Sequence, residues 1–271
     1  MRVACVQVEV VGSDLDGNVD RAVEGIETAA ADGADLVVLP ELFTVGYFAI
    51  DSFARRAESL EGHTLTRLAD VAATNEVALL AGTVVEDLAA TAAGTDVVVP
   101  ETEGFANTAV LFDSRGKRRA VYRARELPGY STGLGGLVPG ESPGLATLDV
   151  GGESVTVGVT TGGDLRAPGP YGELAERGCD LVCVPAAWPY PRVEAWTVLP
   201  RARAIENGYY VAATNGAGEF EEATLLGRSA VYDPEGTPLA SAGDDPALVR
   251  AVVDPARVEQ ARESFPARRD R

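Results

Sequence analysis

Residues 155 to 189, VTVGVTTGGDLRAPGPYGELAERGCDLVCVPAAWP, constrain the fold more than any other stretch of the chain. Val155, Val157 and Val159 recur with the period of a strand, and Gly162-Gly163 breaks the run. Tyr171 to Arg177 carries a helical pattern that stops at Gly178, and LVCVP then forms a short, wholly apolar strand. In such a strand, turn, helix and strand unit the turn lies at the carboxyl end of the first strand, where open α/β folds place their chemistry. A turn in that position commonly carries a nucleophile; here it carries two glycines.

The remaining chain alternates strands and helices around this unit. RVACVQVEV (2 to 10) reads as a buried strand, residues 18 to 31 as an amphipathic helix ending at Gly33, and LVVLP (36 to 40) as a strand closed by Pro40. Glu41 follows at once, an acid at the delivered end of a buried strand, with the aromatics of LFTVGYF behind it. On spacing alone it equally fits an acid favoured by a helix N-terminus. Residues 64 to 75 read as a helix leading into VALLAGTVVE, and residues 85 to 104 as an exposed hairpin or loop. FANTAVLFDSRGKRRAVYRARE reads as a hairpin turning near Ser114 to Gly116, and YSTGLGGLVPGES as a glycine-rich pocket-rim loop. A helix over 192 to 207, the strand YYVAATN, a hairpin around DPEG, a strand near ALVRAVVD and a short helix complete the chain. This alternation predicts a layered α/β sandwich. With no linker dividing the 271 residues, a single domain over 1–271 is expected.

Charge narrows the partners. The chain has 41 acidic and 23 basic residues, a formal net charge of −18, and such a field repels nucleic acid and anionic membranes. No window has the roughly 18 apolar residues of a membrane span and no leader pattern opens the chain, so a cytoplasmic protein is expected. Lys117 is the only lysine; an acid excess with almost no lysine predicts a surface adapted to concentrated salt, hence a halophilic source. Cys5, Cys179 and Cys183 lie in or beside apolar strands and read as reduced core thiols. No metal or cofactor is implied.

Four ordered motifs carry a resemblance: VVLPELF (37 to 43), VGVTTGGDLRAP with GCDLVCVPAAWP (157 to 189), RARAIENGYYVAATN (201 to 215) and GRSAVYDPEG (227 to 236). In these the chain resembles the nitrilase superfamily of carbon-nitrogen hydrolases, collinearly over nearly its whole length. The resemblance implies a four-layer αββα sandwich, a homodimer or higher homo-oligomer, and a Glu-Lys-Cys triad. In that triad a carboxylate takes the thiol proton, the thiolate attacks an amide or nitrile carbon, and an ammonium group stabilises the developing charge.

Residue by residue, the resemblance places the base at Glu41, the lysine position at Ala124 and the cysteine position at Gly162. A second glutamate of the family is replaced by glycine or leucine in YSTGLGGL. Lys117 stands seven residues from Ala124, roughly 23 Å along an extended strand, and Arg123 and Arg125 are expected to point away from wherever Ala124 points unless the strand bulges there. Tyr47, Thr161, Gly163, Asp164 and Trp188 are expected to line the pocket, Asp164 and Arg166 to hold the turn, and the ligand to be a small amide, amine or carboxylate. With the triad reduced to Glu41, the expected function is a non-catalytic binding or regulatory protein. The alternative is an active amide hydrolase in which Glu41 activates water without a covalent intermediate.

Overall fold

The computed structural model describes residues 1–127 and 136–264. Two six-stranded sheets form its centre. In chain order the strands are β1 (Arg2–Gln7), β2 (Leu36–Val38), β3 (Ala78–Asp87), β4 (Phe105–Phe112), β5 (Arg118–Arg123), β6 (Gly144–Val150) and β7 (Glu153–Val159). They continue as β8 (Leu181–Ala186), β9 (Tyr210–Asn215), β10 (Ala217–Glu219), β11 (Thr224–Leu226), β12 (Ala230–Tyr232), β13 (Pro238–Ser241) and β14 (Ala247–Val252). The helices are α1 (Leu15–Ala31), α2 (Phe53–Arg56), α3 (His63–Thr74), α4 (Leu88–Gly94), α5 (Pro168–Glu176), α6 (Val193–Asn207) and α7 (Pro255–Ser264).

One sheet has the order β14-β1-β2-β3-β4-β5 and the other β13-β12-β9-β8-β7-β6. In each, three central strands run parallel, β1-β2-β3 and β7-β8-β9, and the outer strands are antiparallel. The parallel strands are apolar on both faces because both faces are covered. In β1, Val3 and Cys5 join the core between the sheets while Ala4 and Val6 face the layer holding α1 and α3. In β8, Leu181 and Cys183 join the inner core while Val182 and Val184 pack on the side of α5 and α6. The result is the four-layer αββα sandwich.

Residues 85 to 104 differ from the hairpin or loop expected of them. β3 runs on to Asp87, whose side chain caps the Ala90 N–H at 2.9 Å and starts α4. Leu88 and Thr91 are buried, and the Thr91 hydroxyl accepts the Leu60 N–H at 3.1 Å, so tertiary contacts hold a seven-residue helix that is short for independent stability.

The ends of the parallel strands are drawn together by one close approach. A Cβ on Gly82 would lie 2.1 Å from the Pro40 carbonyl oxygen and 2.2 Å from that of Leu39. Only glycine lets β3 pass so near the segment that carries Glu41. Immediately after that segment Leu42 has φ +46, and its N–H is held by the Thr83 hydroxyl at 2.6 Å. A non-glycine residue there costs of order 1 kcal/mol or more, so this bend is imposed by its surroundings.

Candidate active site

Glu41 occupies a turn after β2, not a helix N-terminus, and is 6% exposed. Its backbone N–H donates to the Ala186 carbonyl at the end of β8, 3.2 Å away. Its carboxylate accepts two hydrogen bonds, from Asn107 Nδ2 to Oε1 at 2.7 Å and from the Ala187 N–H to Oε2 at 3.1 Å. These two donors favour the ionised form, but burial outweighs them, and Asp164 adds a like charge nearby, so the carboxyl is raised to about 8.

Glu41 forms the wall of a cavity of about 240 Å³ shared with Tyr47, Gly163, Trp188, Arg166 and Arg192 among others. Of the pocket residues expected from the sequence, Tyr47, Gly163 and Trp188 line this cavity. Thr161 and Asp164 lie in the layer behind the lining. Asp164 is fully buried: Oδ2 accepts the Tyr122 hydroxyl at 2.7 Å, the Thr161 N–H at 2.7 Å and the Thr161 hydroxyl at 2.8 Å, and Oδ1 accepts the Glu126 N–H at 2.9 Å. It ties β5 to the turn after β7. Arg166 forms no ion pair with it; the guanidinium lies over the Trp188 ring, 5.1 Å from the centroid.

Ala124 reaches Glu41 through Asn107, and Gly162 through Pro185 and Ala186. The Ala124 N–H donates to the Asn107 carbonyl at 2.9 Å, and Asn107 holds Glu41. The Gly162 N–H donates to the Pro185 carbonyl at 2.8 Å, next to the Ala186 that binds the Glu41 backbone. Gly162 begins a 3-10 turn (Gly163–Arg166) with φ −56, open to any residue, yet an added Cβ would lie 2.8 Å from Trp188 Nε1 and 2.9 Å from the Ala186 Cβ. The replaced glutamate expected in YSTGLGGL falls chiefly outside the described residues.

Other nucleophiles and cations are committed elsewhere. Arg123 forms a two-pronged ion pair with buried Glu86, at 2.7 and 2.8 Å, and Arg125 pairs with Glu173 at 2.8 Å. Lys117 is exposed in the turn between β4 and β5, bonded through its backbone to Asp113. The three cysteines are free and buried, and none lines the Glu41 cavity. Burial pushes the Cys5 and Cys179 thiols up to about 12 and that of Cys183 well above its usual range, which keeps them protonated and inert.

Sequence reasoning missed Asn107, Arg192 and the role of Arg166. Asn107 shares the inward face of β4 with Ala109 and Leu111 by strand alternation, and an amide on an apolar face was the available signal. Neither Arg166 nor Arg192 makes an ion pair among the described residues, although carboxylates are in large excess over the whole chain.

A buried carboxyl raised to about 8 thus stands beside a cavity at the carboxyl ends of parallel strands in an αββα sandwich, the architecture of the carbon-nitrogen hydrolases. The chain matches the carbon-nitrogen hydrolase family over residues 2–263 and belongs to that family. It is 34% identical over 271 residues to a 2-oxoglutaramate amidase of Paenarthrobacter nicotinovorans, covering 99% of this chain and 88% of the relative. It is 30% identical over 279 residues to a human omega-amidase, covering 100% and 94%. Among solved structures it superposes on Saccharomyces cerevisiae Nit3, of the nitrilase superfamily, with TM-score 0.84 and 28% identity over 98% of this chain and 94% of that one. A Nesterenkonia amidase gives TM-score 0.79 and 28% identity over 98% and 95%; that enzyme has an active-site cysteine.

These relatives correct the expectation of a non-catalytic binding or regulatory protein. Amidases match along essentially the whole chain. The expectation rested on the replaced lysine, cysteine and second glutamate positions and gave the retained base no chemistry of its own. A carboxyl raised to about 8 beside a cavity can exchange protons with water at ordinary pH whether or not a thiol is present.

Proposed function

We propose that the protein is an amide hydrolase in which Glu41 activates water directly, with Ala124 and Gly162 standing where the family has its lysine and cysteine. The observation that carries this reading is Glu41 itself, buried, held by Asn107 and Ala187, raised to about 8 and open to the cavity. A general base works best when its pKa lies near the working pH.

In this reaction the ionised carboxyl takes a proton from water as the water oxygen attacks the amide carbon. The tetrahedral adduct then collapses: the C–N bond breaks, Glu41 returns the proton to the departing nitrogen, and acid and ammonia result. Gly163, lining the cavity at the first position of its 3-10 turn, has a backbone N–H that the turn does not use, and it is assigned the developing oxyanion.

The substrate we assign is a small amide with a carboxylate at its far end. Support comes from Arg166 and Arg192 on the cavity wall and from relatives named 2-oxoglutaramate amidase and omega-amidase. Ammonia release from 2-oxoglutaramate, glutaramate and uncharged butyramide tests it. Turnover of the anionic amides, abolished in Glu41→Gln, supports the assignment; turnover independent of Glu41 would end it.

A further inference from the structure

Asn107 stands out as a buried amide with only half of its side chain in use. It is 2% exposed on β4, its Nδ2 donates to Glu41 Oε1 at 2.7 Å, and its Oδ1 has no hydrogen-bond partner among the described residues. A buried acceptor without a donor is costly, and such groups call for an explanation in a native fold. The two ends of an amide are nearly the same shape but opposite in hydrogen-bonding sense, one donating and one accepting.

Glu41 has complementary needs. As a carboxylate it only accepts, and Asn107 Nδ2 and the Ala187 N–H serve it. As a carboxylic acid it gains an O–H that requires an acceptor. The Ala187 N–H cannot accept, and Oδ1 of Asn107 is the unpaired acceptor on the residue already in contact.

We infer that Asn107 is a positioning residue that turns its amide to follow the proton on Glu41, donating through Nδ2 to the carboxylate and accepting through Oδ1 from the carboxylic acid. The turn pairs the orphaned oxygen with the new O–H and carries the two donors of Nδ2 to the side where Oδ1 had stood. It holds the proton on Glu41 between its removal from water and its delivery to the leaving nitrogen. The catalytic part of this inference rests on the hydrolase reading; the coupling between Asn107 and Glu41 does not. The other charged or titratable groups at this carboxyl are Asp164 behind the lining and Tyr47, Glu126, Arg166 and Arg192 around the cavity. Of these only the Tyr47 hydroxyl can also both donate and accept, and Asn107 is the group already hydrogen-bonded to the Glu41 carboxylate.

The direct test is NMR of the full chain labelled with nitrogen-15 at asparagine and carbon-13 at glutamate, titrated through the ionisation of Glu41. The Asn107 and Glu41 resonances are assigned by their loss in Asn107→Leu and Glu41→Gln. Side-chain NH₂ signals of Asn107 are expected to move with the same midpoint as the Glu41 carboxyl carbon. Stationary Asn107 signals while Glu41 titrates, or a Glu41 that never titrates, would overturn the inference. Kinetics give a second readout. Asn107→Leu is expected to lower kcat by about tenfold or more with little change in KM, and Asn107→Asp to move the rising limb of rate against pH upward through a second negative charge. Unchanged kcat and pH profile, or a rise in KM alone, would contradict it. If no amide is turned over while both resonances titrate together, the hydrolase reading fails and the coupling stands; if the variants do not fold, triple-resonance spectra of the uniformly labelled unmodified protein assign the two side chains and its titration decides.

Discussion

Trp188 Nε1 donates to the carbonyl of Gly162 at 3.0 Å, and its indole fills the space that any side chain on Gly162 would enter. The backbone on both sides of Trp188 is itself clamped by Asn215, which accepts the Trp188 N–H at 2.8 Å and donates to the Trp188 carbonyl at 3.1 Å. The turn after β7 is therefore closed by a ring that cannot easily withdraw. Gly162→Cys should destabilise the protein by about 1 to 3 kcal/mol, as overpacking does, and leave the new thiol poorly reactive. Gly162→Cys combined with Trp188→Ala should label faster with iodoacetamide than Gly162→Cys alone. Equal labelling, with stability unchanged, would show that the indole moves aside freely.

Stability should depend on pH through Glu41 in a definite sense. Its native value of about 8 lies above the ordinary 4.5, so between these pH values the unfolded chain gives up a proton that the native protein keeps. Native protein then binds more protons, and stability falls as pH rises through this window, reaching a penalty on the order of a few kcal/mol above it. Glu41→Gln removes the penalty. Denaturant midpoints at pH 5 and pH 9 check this: the variant should gain on the unmodified protein as pH rises, and a constant difference would contradict the assignment.

Asp164 is predicted to be structural in the strict sense of holding the site together. Its two oxygens accept four hydrogen bonds from Tyr122, Thr161 and Glu126, and an amide can neither accept all four nor avoid turning its own donors toward other donors. Asp164→Asn should cost about 2 to 4 kcal/mol in urea unfolding. A loss below about 1 kcal/mol would mean that the network re-forms around the amide.

The cavity arginines should sort substrates by charge. Arg166→Gln or Arg192→Gln should raise KM for a carboxylate-bearing amide by roughly tenfold, the value of one charge-assisted hydrogen bond, and leave butyramide unaffected. An equal effect on both substrates would indicate damage to the pocket shape in place of a lost charge contact.

The layered core was legible in the sequence because strands buried on both faces must be apolar throughout, as LVCVP and LVVLP are. Glu41 was marked as an acid at the point where such a strand ends, a position that fitted a helix N-terminus equally well, and only the family resemblance singled it out as the base. What escaped depends on contacts between distant residues. Trp188 reaches Gly162 across 26 residues and Asn107 reaches Glu41 across 66, and no local pattern marks either pair. The helix after Asp87 was missed because LAATAAG is too short to show a period and is held by Leu60 instead. The non-catalytic reading rested on the replaced lysine, cysteine and second glutamate positions, and amidases matching along the whole chain overturn it.

The central claim, that Glu41 drives amide hydrolysis by water without a covalent intermediate, is tested most directly by rapid-quench intact-mass spectrometry during turnover of 2-oxoglutaramate. The account predicts ammonia release that rises with pH as Glu41 ionises, vanishes in Glu41→Gln, and proceeds with no acyl adduct on the protein at any time. An adduct on Cys5, Cys179 or Cys183 that forms and decays at the rate of turnover would contradict it.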